Sequence, residues 1–149
     1  MLFVRLRFMK YSLVPLLIGG LTYIGLRTES LRMFKWIKMI SLESEVGHFR
    51  NIMSNFSPYF PQWVKFSLPD GLWMFSYTSV ILIIWEGQIN RASVIWLGLI
   101  PIVAITSEIF QLLGLLTGTF DWFDFVFYLL GFCIPIYYLP LKIKNYAKL

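Results

Sequence analysis

The chain has 149 residues, of which 58% are hydrophobic and only 14% are charged, and its mean hydropathy is +0.68. In a soluble domain about a quarter of the residues are charged, so this composition excludes an ordinary soluble domain and predicts an integral membrane protein. The length predicts a single domain. The net charge of +5 does not predict nucleic-acid binding, because the basic residues border apolar segments, where they contact lipid headgroups.

Four apolar segments are long enough to cross a bilayer, whose hydrocarbon core needs roughly 20 helical residues. They lie at about residues 8–26, 70–86, 92–116 and 122–141. The basic start and the length of the first segment also fit a signal peptide. A small-residue cleavage site does not follow it, which favours a retained helix. We therefore predict an all-α, integral membrane four-helix bundle.

The segment between the first two spans begins with an amphipathic pattern at about residues 30–42. Apolar residues recur on one side of a helix and basic residues on another, in the order Leu31, Arg32, Phe34, Lys35, Ile37, Lys38. This pattern is typical of a helix that lies in the membrane interface. A short helix packed on the end of the bundle would give the same pattern. The stretch NFSPYFPQW that follows predicts a proline-rich loop.

Charge predicts the orientation of the four spans. An even number of spans places both termini on one side, and that side has the basic residues Arg5, Arg7, Lys10, Arg91, Lys142, Lys144 and Lys148. The sequence between the third and fourth spans contains neither Lys nor Arg. The long first loop contains six, but short loops and residues near span ends have the greater influence. We predict a multi-pass protein of the bacterial inner membrane with cytoplasmic termini.

Under this topology, five polar side chains meet at the outer end of the bundle. The second span begins near Asp70, the third ends just after Glu108 and Gln111, and the fourth begins near Asp121 and Asp124. Residues three apart share a helix face, so Glu108 and Gln111 should lie side by side. The sequence therefore predicts a ligand-binding site formed by these five residues.

Structural roles are the alternative for three of these acids. Asp70 and Asp121 have the position of helix caps, and Asp124 would lie in a first turn, where the helix dipole favours a negative charge. Glu108 lies within a span, where no cap is needed. A carboxylate in a membrane costs a few kcal/mol and normally faces the protein interior, so Glu108 is the strongest candidate for a functional group.

Converging carboxylates suggest two kinds of ligand. A protonated Glu108 would donate to a polar group, or the cluster would hold a divalent cation through oxygen ligands. A zinc site is not expected, because Cys133 and His48 are each the single residue of their type. Paired carboxylates suit acid–base catalysis, but no nucleophile has a base beside it. We therefore assign neither catalytic residues nor a cofactor and do not favour an enzyme.

From about residue 69 to residue 131 the chain resembles the VanZ-like family of small bacterial membrane proteins. The resemblance depends on an acid that opens the second span in LPDGLWMFSY, on E-x-x-Q at Glu108 and Gln111, and on GTFDWFDFVFYLLG with Asp124 and Gly131. It implies an inner-membrane helical bundle with a polar site on the outer face. Some relatives are linked to resistance against glycopeptide antibiotics such as teicoplanin.

The chain also departs from the family pattern. Gly71 and Met74 stand where the family commonly has Lys and His, and Thr119 and Tyr128 stand where Arg and Asn are common. Our leading hypothesis is a VanZ-like protein of envelope physiology or antibiotic tolerance, whose acidic site binds an amphiphilic ligand or a cation among membrane lipids. The alternative is an accessory subunit of a larger membrane complex, or a homo-oligomer; an oligomeric pore is a third hypothesis.

Overall fold

The computed structural model describes residues 2–139 and 142–143, with side chains from residue 5 to residue 139. The fold is mostly helical and all-α. Helix α1 (Leu2–Phe8) continues through a π-helical turn (Met9–Leu13) into α2 (Val14–Leu26). The π-helical turn comes directly before Pro15, which cannot donate the hydrogen bond of a regular helix. The first apolar segment is thus one continuous helix.

The region between the first two apolar segments is more helical than the sequence predicts. It contains α3 (Arg32–Met39), α4 (Glu43–Phe56), a 3₁₀ turn (Ser57–Tyr59) and α5 (Gln62–Phe66). The amphipathic helix is shorter than the predicted 30–42, because Ser41 adopts a positive φ of 59°. The proline-rich stretch predicted as a loop is mostly helical, because its prolines lie at helix starts, where a missing N–H costs nothing.

Helix α3 has two apolar sides. Phe34 is buried and lies beneath the guanidinium of Arg50 from α4, 4.7 Å from its ring centre. Trp36, Met39 and Ile40 are exposed on the other side. One side of the helix therefore packs on α4, as the second interpretation of the amphipathic pattern requires, while the other side is open.

The second half of the chain consists of α6 (Leu68–Ile84), β1 (Gln88–Ile89), α7 (Arg91–Leu112), α8 (Trp122–Tyr138) and β2 (Lys142–Ile143). The two strands pair in parallel, Gln88 with Lys142 and Ile89 with Ile143, in a short ladder that the sequence did not predict. Helix α7 begins with a capping box, in which Asn90 Oδ1 accepts from Ser93 N and Ser93 Oγ accepts from Asn90 N.

The helix ends differ from the predicted spans. Helix α7 ends at Leu112, four residues before the predicted end at residue 116. Gly114 and Gly118 follow with φ angles of +70° and +141°, which break the helix. Helix α6 begins and ends two residues earlier than the predicted 70–86. The fourth span was predicted to residue 141, but α8 ends at Tyr138; residues 140 and 141, like Lys144 and Lys148, lie outside the described residues.

Helix α6 is central and contacts α2, α7 and α8. Its closest neighbour is α8, and the two helices run in the same direction, because Gly71 lies against Phe127 and Gly131 lies against Met74. A Cβ atom added at Gly71 would be 2.8 Å from the Phe127 ring, and one added at Gly131 would be 2.9 Å from Met74 Cβ. Glycine at both positions is therefore what permits this close crossing.

The distribution of buried residues differs from that in a soluble domain, where buried side chains are mostly apolar. Among the residues whose side chains the structure describes, seven buried side chains are polar or charged, namely Ser12, Ser67, Ser76, Thr78, Ser79, Ser93 and Glu108, and six are large and apolar. Large apolar side chains are exposed along the helices, among them Leu16, Leu17, Ile18, Leu21, Ile95, Ile102, Val103 and Phe123. Small residues thus make many of the contacts between helices, beside a small apolar cluster of Ile81, Leu82, Leu97 and Leu139, while many large apolar residues point outward.

Among the residues that the structure describes, two helical segments are long and apolar enough to cross a membrane, Arg5–Leu26 and Arg91–Leu112, each of 22 residues. Their mean hydropathies are 1.3 and 1.9. Helices α6 and α8 are also apolar but shorter, with 17 residues each.

Candidate functional site

Three carboxylates converge at the end of the fold where α6 and α8 begin and α7 ends. Asp70 lies in the first turn of α6, Asp124 in the first turn of α8, and Glu108 one turn before the end of α7. Gly71, next to Asp70, packs on Phe127 one turn after Asp124, and Glu108 accepts from the backbone N–H of Asp121. We call these three residues the acidic cluster.

Glu108 faces the protein interior, with 4% of its surface exposed. Its Oε2 atom accepts a hydrogen bond from the backbone N–H of Asp121 at 3.4 Å. This distance is longer than that of an ordinary N–H···O bond, so the bond holds Glu108 next to the start of α8 but leaves most of the acceptor capacity of the carboxylate unused.

The two aspartates at the start of α8 differ in what they contact. Asp121 caps the helix, because its Oδ1 atom accepts from the backbone N–H of Phe123 at 2.8 Å. Asp124 Oδ1 is buried and has no hydrogen-bond partner among the described residues. A buried oxygen without a partner is costly, and it makes Asp124 the acid of α8 that is free to bind a ligand.

Gln111 lies in the last turn of α7, and its side chain packs against the backbone of Gly118. A Cβ atom added at Gly118 would be 2.9 Å from Gln111 Cδ. Within the part of the chain that the structure describes, no hydrogen bond joins Gln111 to Glu108. Gln111 therefore supports the loop between α7 and α8, and its predicted role in ligand binding stays a prediction.

Two further residues belong to the site, although the sequence did not single them out as members. Arg27 is the C-cap of α2, lies above the rings of Tyr23 and Phe66 at 5.2 and 5.0 Å, and its charge acts on Asp70. Tyr128 lies one turn after Asp124 on α8, within the field of all three acids. The position of Arg27, directly after the first span, was a usable signal, because the predicted topology places that position at the outer end.

The site has an excess of negative charge. Three carboxylates of the acidic cluster face one guanidinium, and Arg27 forms no ion pair with any of them within the described residues. Its Nε atom is buried without a hydrogen-bond partner there. Like charges in a partly buried place repel one another, so the arrangement favours a ligand with a positively charged group.

A metal ion receives less support than an organic cation. Among the residues that the structure describes, no group of three His, Cys, Asp or Glu side chains has a geometry that could hold a metal ion. A divalent cation at the acids therefore stays a prediction from the sequence.

Comparisons with known proteins identify no relative. No protein-family model, no curated protein and no solved structure matches the chain significantly. The resemblance to the VanZ-like family thus depends only on the motifs in the sequence.

Proposed function

We propose that the protein is an integral membrane four-helix bundle whose acidic cluster binds a positively charged group, presented by an amphiphilic ligand or as a free cation. The four spans would be Arg5–Leu26, α6, α7 and α8. The observation that carries this proposal is that Asp70, Glu108 and Asp124 lie at one end of the bundle, where Gly71 packs on Phe127 and Glu108 accepts from the backbone N–H of Asp121.

The burial pattern supports the membrane part of the proposal. Lipid tails are as apolar as leucine, so helices associate in a bilayer through small residues and polar contacts. The Gly71–Gly131 crossing and the hydrogen bond from Ser76 Oγ to the carbonyl of Ser12, at 2.8 Å, are contacts of this kind. At 17 residues, α6 and α8 are at the lower limit of length for a span.

The proposed location is the bacterial inner membrane, with cytoplasmic termini and the acidic cluster on the outer side. Its support is the position of Arg5, Arg7 and Arg91 at the opposite end from the cluster. A role in envelope physiology or antibiotic tolerance is proposed from the resemblance to the VanZ-like family alone.

Cysteine labelling of intact bacteria that express the protein tests the topology. In a Cys133→Ser background, we expect a membrane-impermeant maleimide to label Thr119→Cys from outside. It should label Ala92→Cys only after permeabilisation, because the two exposed positions lie at opposite ends of α7 and of the loop that follows it. Labelling of both positions from the same side would contradict the proposed bundle.

The two aspartates of α8 provide a matched test of the site. We expect Asp124→Asn to weaken binding by about tenfold, equivalent to about 1.4 kcal/mol, because it removes a charge from the acidic cluster. Asp121→Asn should leave binding unchanged, since asparagine caps a helix as well as aspartate does. The measurement is the change in tryptophan fluorescence on titration with dodecylammonium or Ca²⁺ in nanodiscs of zwitterionic lipid.

Empty nanodiscs correct this titration for partition of the amphiphile into lipid. If neither probe binds, or if both variants bind as the unmodified protein does, the acidic cluster is not a cation site. If both variants lose probe binding, the cause is a disturbance of the start of α8 and not the missing charge of Asp124.

A second function, as an accessory subunit of a membrane complex, is favoured by a different observation. Trp36, Met39 and Ile40 form an exposed apolar surface on α3, outside the four spans. Co-purification of a stable partner protein in mild detergent would support this second function, while recovery of the chain by itself would support the first.

A further inference from the structure

An apolar groove of about 150 Å³ lies between α6 and α8. It is lined by side chains and glycines of both helices, chiefly Gly71, Leu72, Phe127, Leu130, Gly131 and Ile134. Gly71 and Gly131 bring the two helices into contact at the floor of the groove, and Leu130 and Ile134 at its side are partly exposed. The groove is therefore open to the surroundings of the bundle. We call it the alkyl groove.

One end of the alkyl groove lies at the acidic cluster. Asp70 directly precedes Gly71 on α6, and Asp124 lies three residues before Phe127 on α8, which is about 5 Å along the helix axis. The ring of Trp63 stacks on Phe127, with 5.6 Å between the ring centres. A molecule in the groove thus has its outer end within reach of two carboxylates.

We propose that the site takes an amphiphile with a cationic headgroup and an alkyl chain, with the headgroup at the acidic cluster and the chain in the alkyl groove. This inference rests on the proposed function and makes it more specific, because a free cation would use the acidic cluster alone. The excess of negative charge favours a cationic headgroup, and the apolar lining of the groove favours an alkyl chain.

Close packing contacts, and not the hydrophobic effect, would stabilise the alkyl chain of the ligand in the groove. A lipid tail gains little by leaving other tails for an apolar surface. It gains dispersion contacts only where it fits against the protein surface, and the groove between the side chains of α6 and α8 offers such a surface. The headgroup supplies the selectivity over the neutral lipids around the bundle.

Photolabelling tests where the alkyl chain of the ligand lies. The probe is a hexadecylamine with a diazirine halfway along its chain, incorporated with the full-length protein in zwitterionic nanodiscs; the corresponding hexadecanol is its uncharged counterpart. After irradiation, mass spectrometry locates the label. We expect the amine to label the peptides that contain residues 68–75 and 127–134, and to do so about tenfold more than the alcohol, a difference of about 1.4 kcal/mol.

Two adjacent leucines of α8 provide a matched pair of variants. Leu130 lines the groove and Leu129 does not, and both are partly exposed. We expect Leu130→Trp to reduce amine labelling of the groove peptides by about tenfold, since the indole occupies the space of the chain. Leu129→Trp should label as the unmodified protein does. Ile134→Trp is a second groove variant, in case Leu130→Trp does not fold.

The outcomes separate this inference from the proposed function. In one outcome, amine binding depends on Asp124 while the label lies outside the groove, or while both groove variants are labelled fully. Either result would contradict binding of the alkyl chain in the groove and would leave the acidic cluster as the headgroup site. Equal labelling by amine and alcohol would show ordinary lipid in the groove and would overturn the inference. Amine binding that is independent of both Asp124 and Glu108 would overturn the proposed function, and this inference with it.

Discussion

Replacement of Gly131 by alanine is expected to destabilise the fold by about 2 kcal/mol, the usual scale for overpacking a close contact. The added methyl group would meet the carbonyl oxygen of Gly71, the Cβ atom of Met74 at 2.9 Å and the backbone N of Phe75 at 3.0 Å. Two of these atoms belong to the α6 backbone, so the helices must separate to make room. Thermal unfolding of the purified protein in mild detergent measures the effect.

Gly20→Ala is the matched control for this substitution. Gly20 lies within α2, and a Cβ atom added there has no atom within 4 Å. Because alanine favours a helix over glycine by about 0.5–1 kcal/mol, Gly20→Ala should leave the unfolding temperature unchanged or raise it slightly. An unfolding temperature for Gly131→Ala equal to that of Gly20→Ala would mean that α6 and α8 do not cross at their glycines.

Glu108→Gln is expected to weaken binding of the cationic probe by tenfold or more, about 1.4 kcal/mol at least, without loss of folded protein. Glutamine keeps a side-chain oxygen that accepts the N–H of Asp121, so the contact between α7 and the start of α8 is retained. The substitution removes only the negative charge. Glu108→Ala should abolish binding while the protein still inserts, because it removes the charge and the acceptor together. Dodecylammonium titration in nanodiscs measures both.

Glu45→Gln controls for the loss of one negative charge anywhere on the protein. Glu45 is exposed in the first turn of α4, away from the membrane-crossing helices of the proposed bundle. We expect its binding affinity to equal that of the unmodified protein. If Glu108→Gln also binds with full affinity, Glu108 does not contribute to the site.

The sequence predicts best those features that follow from the alternating directions of successive helices. Once four apolar segments are recognised, helices that alternate in direction must bring the starts of the second and fourth to the end of the third. That is why Asp70, Glu108 and Asp124 meet in the structure. The extent of α7 was predicted within four residues at its end, since its apolar composition is continuous from residue 92.

Other features depend on contacts that no local pattern reveals. The sequence from Glu43 to Phe56 has weak apolar periodicity and includes a glycine, yet it forms α4, because Phe49 and Met53 pack on Gly25 of α2. Arg27 and Tyr128 were open to deduction, Arg27 from its position directly after the first span and Tyr128 from its spacing of four residues after Asp124.

The parallel pairing of β1 with β2 has a consequence for the site at the opposite end of the molecule. It ties α6 and α8 together beyond their far ends, and the glycine crossing already joins them near Asp70 and Asp124. Helices α6 and α8 are thus connected at two points, which hinders sliding of one helix along the other. Helix α7 is held to α6 by fewer links, among them the bond from the Tyr77 hydroxyl to the Trp96 carbonyl. The position of Glu108 relative to Asp70 and Asp124 therefore depends mainly on its hydrogen bond with the backbone N–H of Asp121.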